Sequence, residues 1–338
     1  AGSLPQALRR RLIGCRVVMP LYDDIPQELR DQMHFVTSLS VPVAWRRQYC
    51  GVFEAKAGGV IYYLIDNQYY FKRPGLYGHY DDAERFAFLS RAALEMLPAI
   101  DFKPDIIHSN DWQTAMVPVY FRLFYANNPW YQGIKTVLTI HNIQYQGKYG
   151  MELVRDVLGI PDSASQLLEY DTCVNMLKGA VECANWVTTV SPTYAKEILN
   201  SWFAYGLEGI LNSRSWKLSG ILNGIDNVHY DPENDATLPA PFSAEDLTGK
   251  AENKRALQEQ LGLEQEADTP LIGMVTRLVA QKGLDLVRDS FERIMTETNA
   301  QFVLLGSGDY EYESFFREMQ SRYPGRVCAY IGFVPEVS

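Results

Sequence analysis

The chain has 338 residues, 47% of them apolar, and a net charge of −10 at neutral pH. That length suits two domains of ordinary size with a substantial core. The charge disfavours a nucleic-acid backbone or an anionic membrane as the main partner, while leaving room for a local basic pocket that takes a phosphate.

No apolar run approaches membrane-spanning length, since Ala115 to Ala126 is interrupted by Pro118 and Arg122. Cys15, Cys50, Cys173, Cys183 and Cys328 form no CxxC pair and no metal spacing, which suggests free thiols in a reducing compartment. The opening AGSLPQALRRRL lacks the apolar stretch of a signal peptide and reads as a helix start with no strand before it. In chain order, RPGLYG (73–78) is a Pro-Gly loop that displays Tyr77, a ring able to stack on a base or a sugar or simply to plug the loop. PDIIHSNDWQT runs a strand at Ile106–His108 into a helix after Asp111. Asn110 and Asp111 fall at the strand tip, with Asp111 suited to be an N-cap or an acid facing a ligand. In KTVLTIHN the strand Thr136–Ile140 ends on His141 and Asn142, which can donate and accept hydrogen bonds beyond the carboxyl end of a strand. A histidine there also serves simply to satisfy a local backbone group.

Thr188–Val190 is the next strand, with Ser191 as N-cap and Pro192 at the first helical position. LSGILNGID is a short strand leading to a turn at NGID (223–226), where Asn223 and Gly224 tolerate positive φ. The stretch from Asp231 to Asp268 is polar and rich in Pro and acidic residues, so the chain divides into 1–244 and 245–338, and amphipathic AENKRALQEQLGL leads into the second part. There the strand Leu271–Val275 precedes Arg277 and Lys282, five positions apart, just before a helix beginning near Gly283. Two such cations can meet one anion, a fork and a point charge together, or stand as ordinary solvated surface charges. LLGSGD places Gly306 and Gly308 at a strand-to-helix turn that lets a ligand approach the backbone, and RVCAYIGF is a further strand. Strands alternating with helices imply an α/β fold with parallel sheets covered on both faces. HExxH, GxSxG and a Walker loop are missing from the sequence, and the lack of a GxGxxG with a downstream acidic residue argues against a dinucleotide-dependent oxidoreductase.

HSNDWQTA, TIHNIQYQGKYG, NMLKGAVECANWVTTVSPTYAKEI, LSGILNGID, DLTGKAENKRALQEQLGL, VTRLVAQKGLDL and LLGSGDYEYE, with RPGLYG and DDAERFAFLSRAALE before them, together resemble the bacterial glycogen synthase and plant starch synthase family in order and spacing. The resemblance covers essentially the whole chain. It implies the GT-B fold, two Rossmann-like domains facing each other across a cleft. It implies transfer of glucose from ADP-glucose to the non-reducing end of an α-1,4-glucan, with retention and with no metal or other cofactor. His141 and Asn142 would sit at the glucose unit, with Asp111 and Asn223 in the same cleft. Arg277 and Lys282 would hold the diphosphate, Tyr77 would lie near the donor, and Gly306, Gly308, Asp309 and the segment Tyr330–Gly332 would seat the nucleotide. The expected compartment is bacterial cytoplasm or plastid stroma, and neither nucleic acid nor membrane is expected as a partner.

The family pattern also has a Lys-x-Gly-Gly-Leu loop just before Gly2 and a Glu-Pro-x-Gly loop beyond Ser338. The expectation is therefore a first domain without its first strand, an incomplete second domain, and a chain that is either inactive by itself or part of a longer one. A related transferase using a UDP-sugar and a non-catalytic glucan-binding fragment stay open as alternatives.

Overall fold

The structure, a computed structural model, describes residues 2–332. Its strands are β1 (Arg16–Pro20), β2 (His34–Val43), β3 (Arg46–Ala57), β4 (Val60–Asp66), β5 (Ile106–Asn110), β6 (Lys135–Ile140), β7 (Lys148–Tyr149), β8 (Glu169–Tyr170), β9 (Cys173–Asn175), β10 (Trp186–Thr189), β11 (Leu218–Gly220), β12 (Leu271–Val275), β13 (Gln301–Gly306) and β14 (Val327–Ile331). Residues up to Gly224 form one compact unit and those from Ile225 another. The stretch 225–244 groups with the second unit because it packs on the helix Gly249–Gln260. Asn253 Nδ2 donates to the Ala240 carbonyl (2.8 Å) and Asn253 Oδ1 accepts from the Ala240 amide (2.9 Å). Gly249 lies so close to the Pro241 carbonyl that a Cβ would come within 2.0 Å of its oxygen.

The first unit carries the expected parallel sheet, in the order β11-β10-β6-β5, with every neighbouring pair parallel. All its strand tips therefore lie at one end. Leu138 and Ile140 of β6 and Val187 of β10 are fully buried, as strands covered on both faces require. Ser191 caps the helix Pro192–Glu197, its Oγ accepting from the Tyr194 amide at 2.8 Å. NGID is not a turn: Gly224 keeps a negative φ, and the chain turns only after Asp226, whose carboxylate accepts from the amides of Val228 and His229 (3.1 and 3.3 Å). An acceptor two residues before the turn's centre decides its position, not the Asn-Gly pair.

Beside it lies a sheet that none of the sequence motifs marks, in the order β1-β4-β3-β2, with β1 parallel to β4 and the rest antiparallel. Gly58 and Gly59, both at positive φ (55° and 75°), make the two-residue turn between β3 and β4 that only such residues form without strain. Pro42 is tolerated because β2 is an edge strand. An apolar slot lined by Val18, Leu97, Phe102 and Ile107 runs between the outer strands β1 and β5. Strands β7, β9 and β8 form a small antiparallel sheet in that order. In the second unit, β12, β13 and β14 are all parallel, in that order, around a core of Leu284, Phe291, Leu304 and Phe316. No helix among the described residues is long and apolar enough to cross a membrane.

The helix Asp82–Ala99 packs on β2 and buries Arg85 completely. The Arg85 guanidinium donates to Asp82 and to the Tyr70 carbonyl (2.7 Å). Asp82 in turn accepts from the amides of Gly78 and His79 (2.6 and 3.2 Å), so one buried ion pair sets the loop that displays Tyr77. Arg85→Ala strands a carboxylate in the core and is expected to cost roughly 3–5 kcal/mol in urea unfolding, whereas the double replacement Asp82→Leu with Arg85→Met costs markedly less. Additive losses in that cycle would show that the pair is not coupled.

Candidate active site

The site builds from the tips of β5 and β6. Their register pairs Asn110 with Thr139, so Asp111 and His141 emerge side by side although 30 positions apart. The Asp111 carboxylate accepts from the His141 amide at 2.7 Å, and the Asp111 amide donates to the Thr139 carbonyl at 2.9 Å. Asp111 does not cap the short helix Trp112–Thr114 that follows it. It adopts φ 55° and ψ −170°, a region nearly reserved for glycine, at a cost of about 1–3 kcal/mol that the two cross-strand bonds offset. Asn110 Oδ1 lies 2.9 Å from His141 Nε2 and accepts from it when that nitrogen carries the proton, which fixes the ring. Below the tips, His108 Nε2, Thr139 Oγ1 and Thr188 Oγ1 form a chain of two 2.6 Å contacts across three strands. Desolvation first, and the neighbouring His141 second, push His108 below the ordinary imidazole range, even though part of its ring is open to the slot beside β5.

The loop after His141 is held rigidly. Asn142 Oδ1 accepts from the Gln144 amide (3.0 Å), and the Ile143 amide donates to the Tyr194 hydroxyl (3.3 Å), a phenol whose pKa burial raises. Gln146, 3% exposed, donates to the carbonyls of Ile143 and Tyr205 (3.0 and 3.1 Å) and accepts from Asn175 (2.7 Å). Gly147, at φ 64°, lies against Trp112, where a Cβ would meet the indole at 2.7 Å. Thus the motifs around 111 and 141 are packed into one body. Asn110, Gln146 and Tyr194 are supporting residues that the motif reading did not assign. The strand-tip position of Asn110 is the one sequence signal for any of them. Tyr77 is exposed (55%) in a loop fixed by Arg73 donating to Asp81 (2.6 Å) and by Asp82, as its Pro-Gly context implies. Asn223 lies exposed in irregular chain beyond the tip of β11, and no hydrogen bond among the described residues ties it to His141.

In the second unit Arg277 and Lys282 flank Leu278, which is fully buried and anchors their loop. Both cations are exposed, and neither takes an ion-pair partner among the described residues. Gly283, at φ 70° and ψ 26°, starts the helix Leu284–Glu297 directly after Lys282. Gly306 and Gly308 have a different task from leaving room for a ligand. A Cβ at Gly306 would come within 1.9 Å of the Thr276 carbonyl oxygen, and one at Gly308 within 2.3 Å of that of Leu278. The two loops continue to pair past their strands: the Leu278 amide donates to Ser307 (2.9 Å) and the Asp309 amide to Leu278 (2.7 Å). The glycines therefore fix the backbone that carries Arg277. The Gly308 amide donates to the Glu313 carboxylate (3.0 Å), and Asp309 precedes the helix Tyr310–Arg322 without capping it by its side chain. The Gly332 amide donates to the Gly306 carbonyl (2.9 Å), so the tip of β14 joins the same cluster.

Residues 1–213 match the family model described as the starch synthase catalytic domain. A glycogen synthase of Bacillus cereus is 49% identical over 340 residues, covering 100% of this chain and 71% of that protein. One from Geobacillus stearothermophilus is 50% identical over 335 residues, covering 98% of this chain and 69% of the relative. Among solved structures, the catalytic domain of starch synthase IV from Arabidopsis thaliana, bound to ADP and acarbose, matches with a TM-score of 0.91 and 34% identity, covering 99% of this chain and 70% of that one. The chain therefore belongs to the glycogen synthase and starch synthase family of glycosyltransferases and has the GT-B fold.

Proposed function

We propose that the protein transfers glucose from ADP-glucose to the non-reducing end of an α-1,4-glucan, with retention of configuration. Relatives named glycogen synthases and a solved neighbour that holds ADP and acarbose support this reading. The observation that carries it is the couple Arg277 and Lys282, without an ion-pair partner among the described residues, beyond the carboxyl end of a parallel strand and before a helix N-terminus. Such a place is built to receive a diphosphate and to stabilise it as negative charge grows on leaving.

In this reading the bond between glucosyl C1 and the diphosphate oxygen breaks while the acceptor hydroxyl attacks C1 from the same face. The hydroxyl proton passes to the departing phosphate oxygen. The protein's work is positioning and anion stabilisation. His141, its ring held by Asn110, and Asn142 bind glucosyl hydroxyls. One Asp111 oxygen holds the His141 amide and the other is assigned to substrate. Asn223 and Tyr77 are assigned to the donor and sugar side. Gly306, Gly308 and Asp309 border the nucleotide through backbone closeness, since the Gly308 amide is already given to Glu313. The cations supply the charge for the diphosphate, so no metal is invoked. The two glycogen synthases named above are bacterial and all five cysteines are free, which fits a bacterial cytoplasm.

Labelled glucose should enter glycogen from ADP-glucose. Incorporation only from UDP-glucose would reassign the donor, and incorporation from neither would overturn the reading. Lys282→Ala is expected to lower turnover by about 10²-fold or more while leaving the unfolding midpoint unchanged, because the side chain is exposed and has no ion-pair partner among the described residues. Wild-type turnover in that variant would remove the cation from the mechanism. Asn110→Leu frees the His141 ring and is expected to lower turnover by about tenfold to 10²-fold. Activity should survive exhaustive chelation, and its loss with recovery on adding a divalent cation would show that a metal takes part.

A further inference from the structure

A groove of about 670 Å³ in the first unit is lined by Arg122, Lys178, Glu182, Arg214, Trp216 and Lys217, among others. Lys217 directly precedes β11, and Asn185, also in the lining, directly precedes β10. The groove therefore lies at the amino ends of the parallel strands, opposite the tips that carry Asp111 and His141. Its volume falls in the roughly 300–1,000 Å³ range of ligand sites. Four cations meet one carboxylate there, on a chain whose net charge is −10. That carboxylate is already spent, since Arg214 Nη2 and Nε donate to one Glu182 oxygen at 2.6 and 3.0 Å. Among the described residues Arg122, Lys178 and Lys217 form no ion pair.

Two of these cations are buried, Lys178 at 6% and Lys217 at 3% exposure. Lysine is almost never buried so deeply unless it is paired. Here carbonyls do the holding. Lys178 Nζ donates to Gln166 and Leu167 (2.6 and 3.2 Å), and Lys217 Nζ donates to Ala184 and Glu182 (2.6 and 3.3 Å). These bonds fix both ammonium groups without neutralising them. Burial pushes both below the ordinary lysine range, and the Arg214 guanidinium adds to this at Lys217. Lys217 also covers carbonyls at the end of the helix Met176–Cys183, whose negative pole would otherwise repel an anion. Arg122 stands exposed on the π-helical turn Phe121–Tyr125, a rare geometry that is frequent at functional sites. Trp216 is 70% exposed, with its ring centre 5.7 Å from Lys217 Nζ. A flat aromatic face thus borders cations that lack a counter-charge. A long polyanion would meet the negative charge of the rest of the chain, whereas a small anion fits within the groove.

We propose that this groove binds a nucleoside phosphate, with the phosphate among Arg122, Lys178 and Lys217 and the base on the face of Trp216. A guanidinium fork and two point charges match phosphate oxygens, and a base stacks flat on an indole. The groove is built from residues of the first unit alone, so the site stands independently of the donor role assigned to Arg277 and Lys282.

The test is equilibrium dialysis of labelled adenosine diphosphate against the full protein, with no nucleotide sugar present. Two classes of site are expected, because the cation loop of the second unit is proposed to take a nucleotide as well. Arg122→Gln and Trp216→Ala act on exposed side chains, which spares the carbonyls that Lys178 and Lys217 satisfy. Each is expected to weaken one class about tenfold and to leave the other unchanged, with Arg122→Lys keeping most of the affinity. Lys282→Ala is expected to do the reverse. A single class that responds only to Lys282→Ala overturns the site, as does binding that neither Arg122→Gln nor Trp216→Ala weakens. Adenosine competing as well as adenosine monophosphate for the Arg122-dependent class overturns the phosphate assignment. Glucose 1-phosphate competing equally well overturns the base assignment. Binding is read without turnover, so Arg122-dependent binding in a protein that transfers no glucose would sink the proposed function and leave this site standing.

Discussion

The hydrogen bond from the His141 amide to the Asp111 carboxylate is the point on which the first unit's chemistry depends. It joins two strand tips whose sequences are far apart. It also offsets a backbone conformation at Asp111 that no side chain adopts without cost. Around it, Asn110 orients the His141 ring, Gly147 lets the next loop press on Trp112, and Gln146 ties that loop to two further segments. A site meant only to pair loose backbone groups would not require strain at its centre. A site that must hold several hydroxyls in fixed directions does, because rigid donors and acceptors lose nothing to reorganisation when the substrate arrives.

The second unit reaches the same end by other means. Its cations stand on a loop with little side-chain support, so rigidity comes from the backbone. Removing two Cβ atoms, at Gly306 and Gly308, allows the loops after β12 and β13 to go on pairing beyond the sheet. A glycine-bearing turn at a strand end thus has two possible readings, room for a ligand or room for a neighbouring loop. Here the short distances to Thr276 and Leu278 show that the neighbour claims the space. The ligand then meets a loop already fixed in place.

The legible parts of the sequence were those with one dominant cause. Strands β6, β10 and β13 are short runs with abrupt polar ends, buried over most of their length, while β12 was legible from its apolar run although Ile272 and Val275 are exposed. Placing His141, Asn142, Arg277 and Lys282 beyond strand tips follows from the same pattern. The meander β2 to β4 was hidden because one of its faces is wet. In HFVTSLSVPV only Val41 and Val43 are deeply buried, and Pro42 between them suggests loop rather than edge strand. The Gly58-Gly59 turn was the available signal. The role of Asn110 needed the register between β5 and β6, which depends on tertiary pairing and not on local preference. Asp111 misled for the related reason that a carboxylate before a helix is ordinarily a cap, and here a neighbouring strand outbids the helix for it.

The charge pattern supplies a last constraint. The chain carries 41 acidic side chains against 31 lysines and arginines, so a random cation on its surface has acids to spare nearby. Arg214, Arg255, Arg317 and Arg322 each found one. Among the described residues Arg277 and Lys282 did not, and no lysine did, so the couple is distinguished by its place beyond a strand tip as much as by its lack of a partner. An acid within 4 Å of either would offset its charge and compete with any incoming anion, so leaving both unpaired gives up a modest surface stabilisation to keep the field at the loop positive.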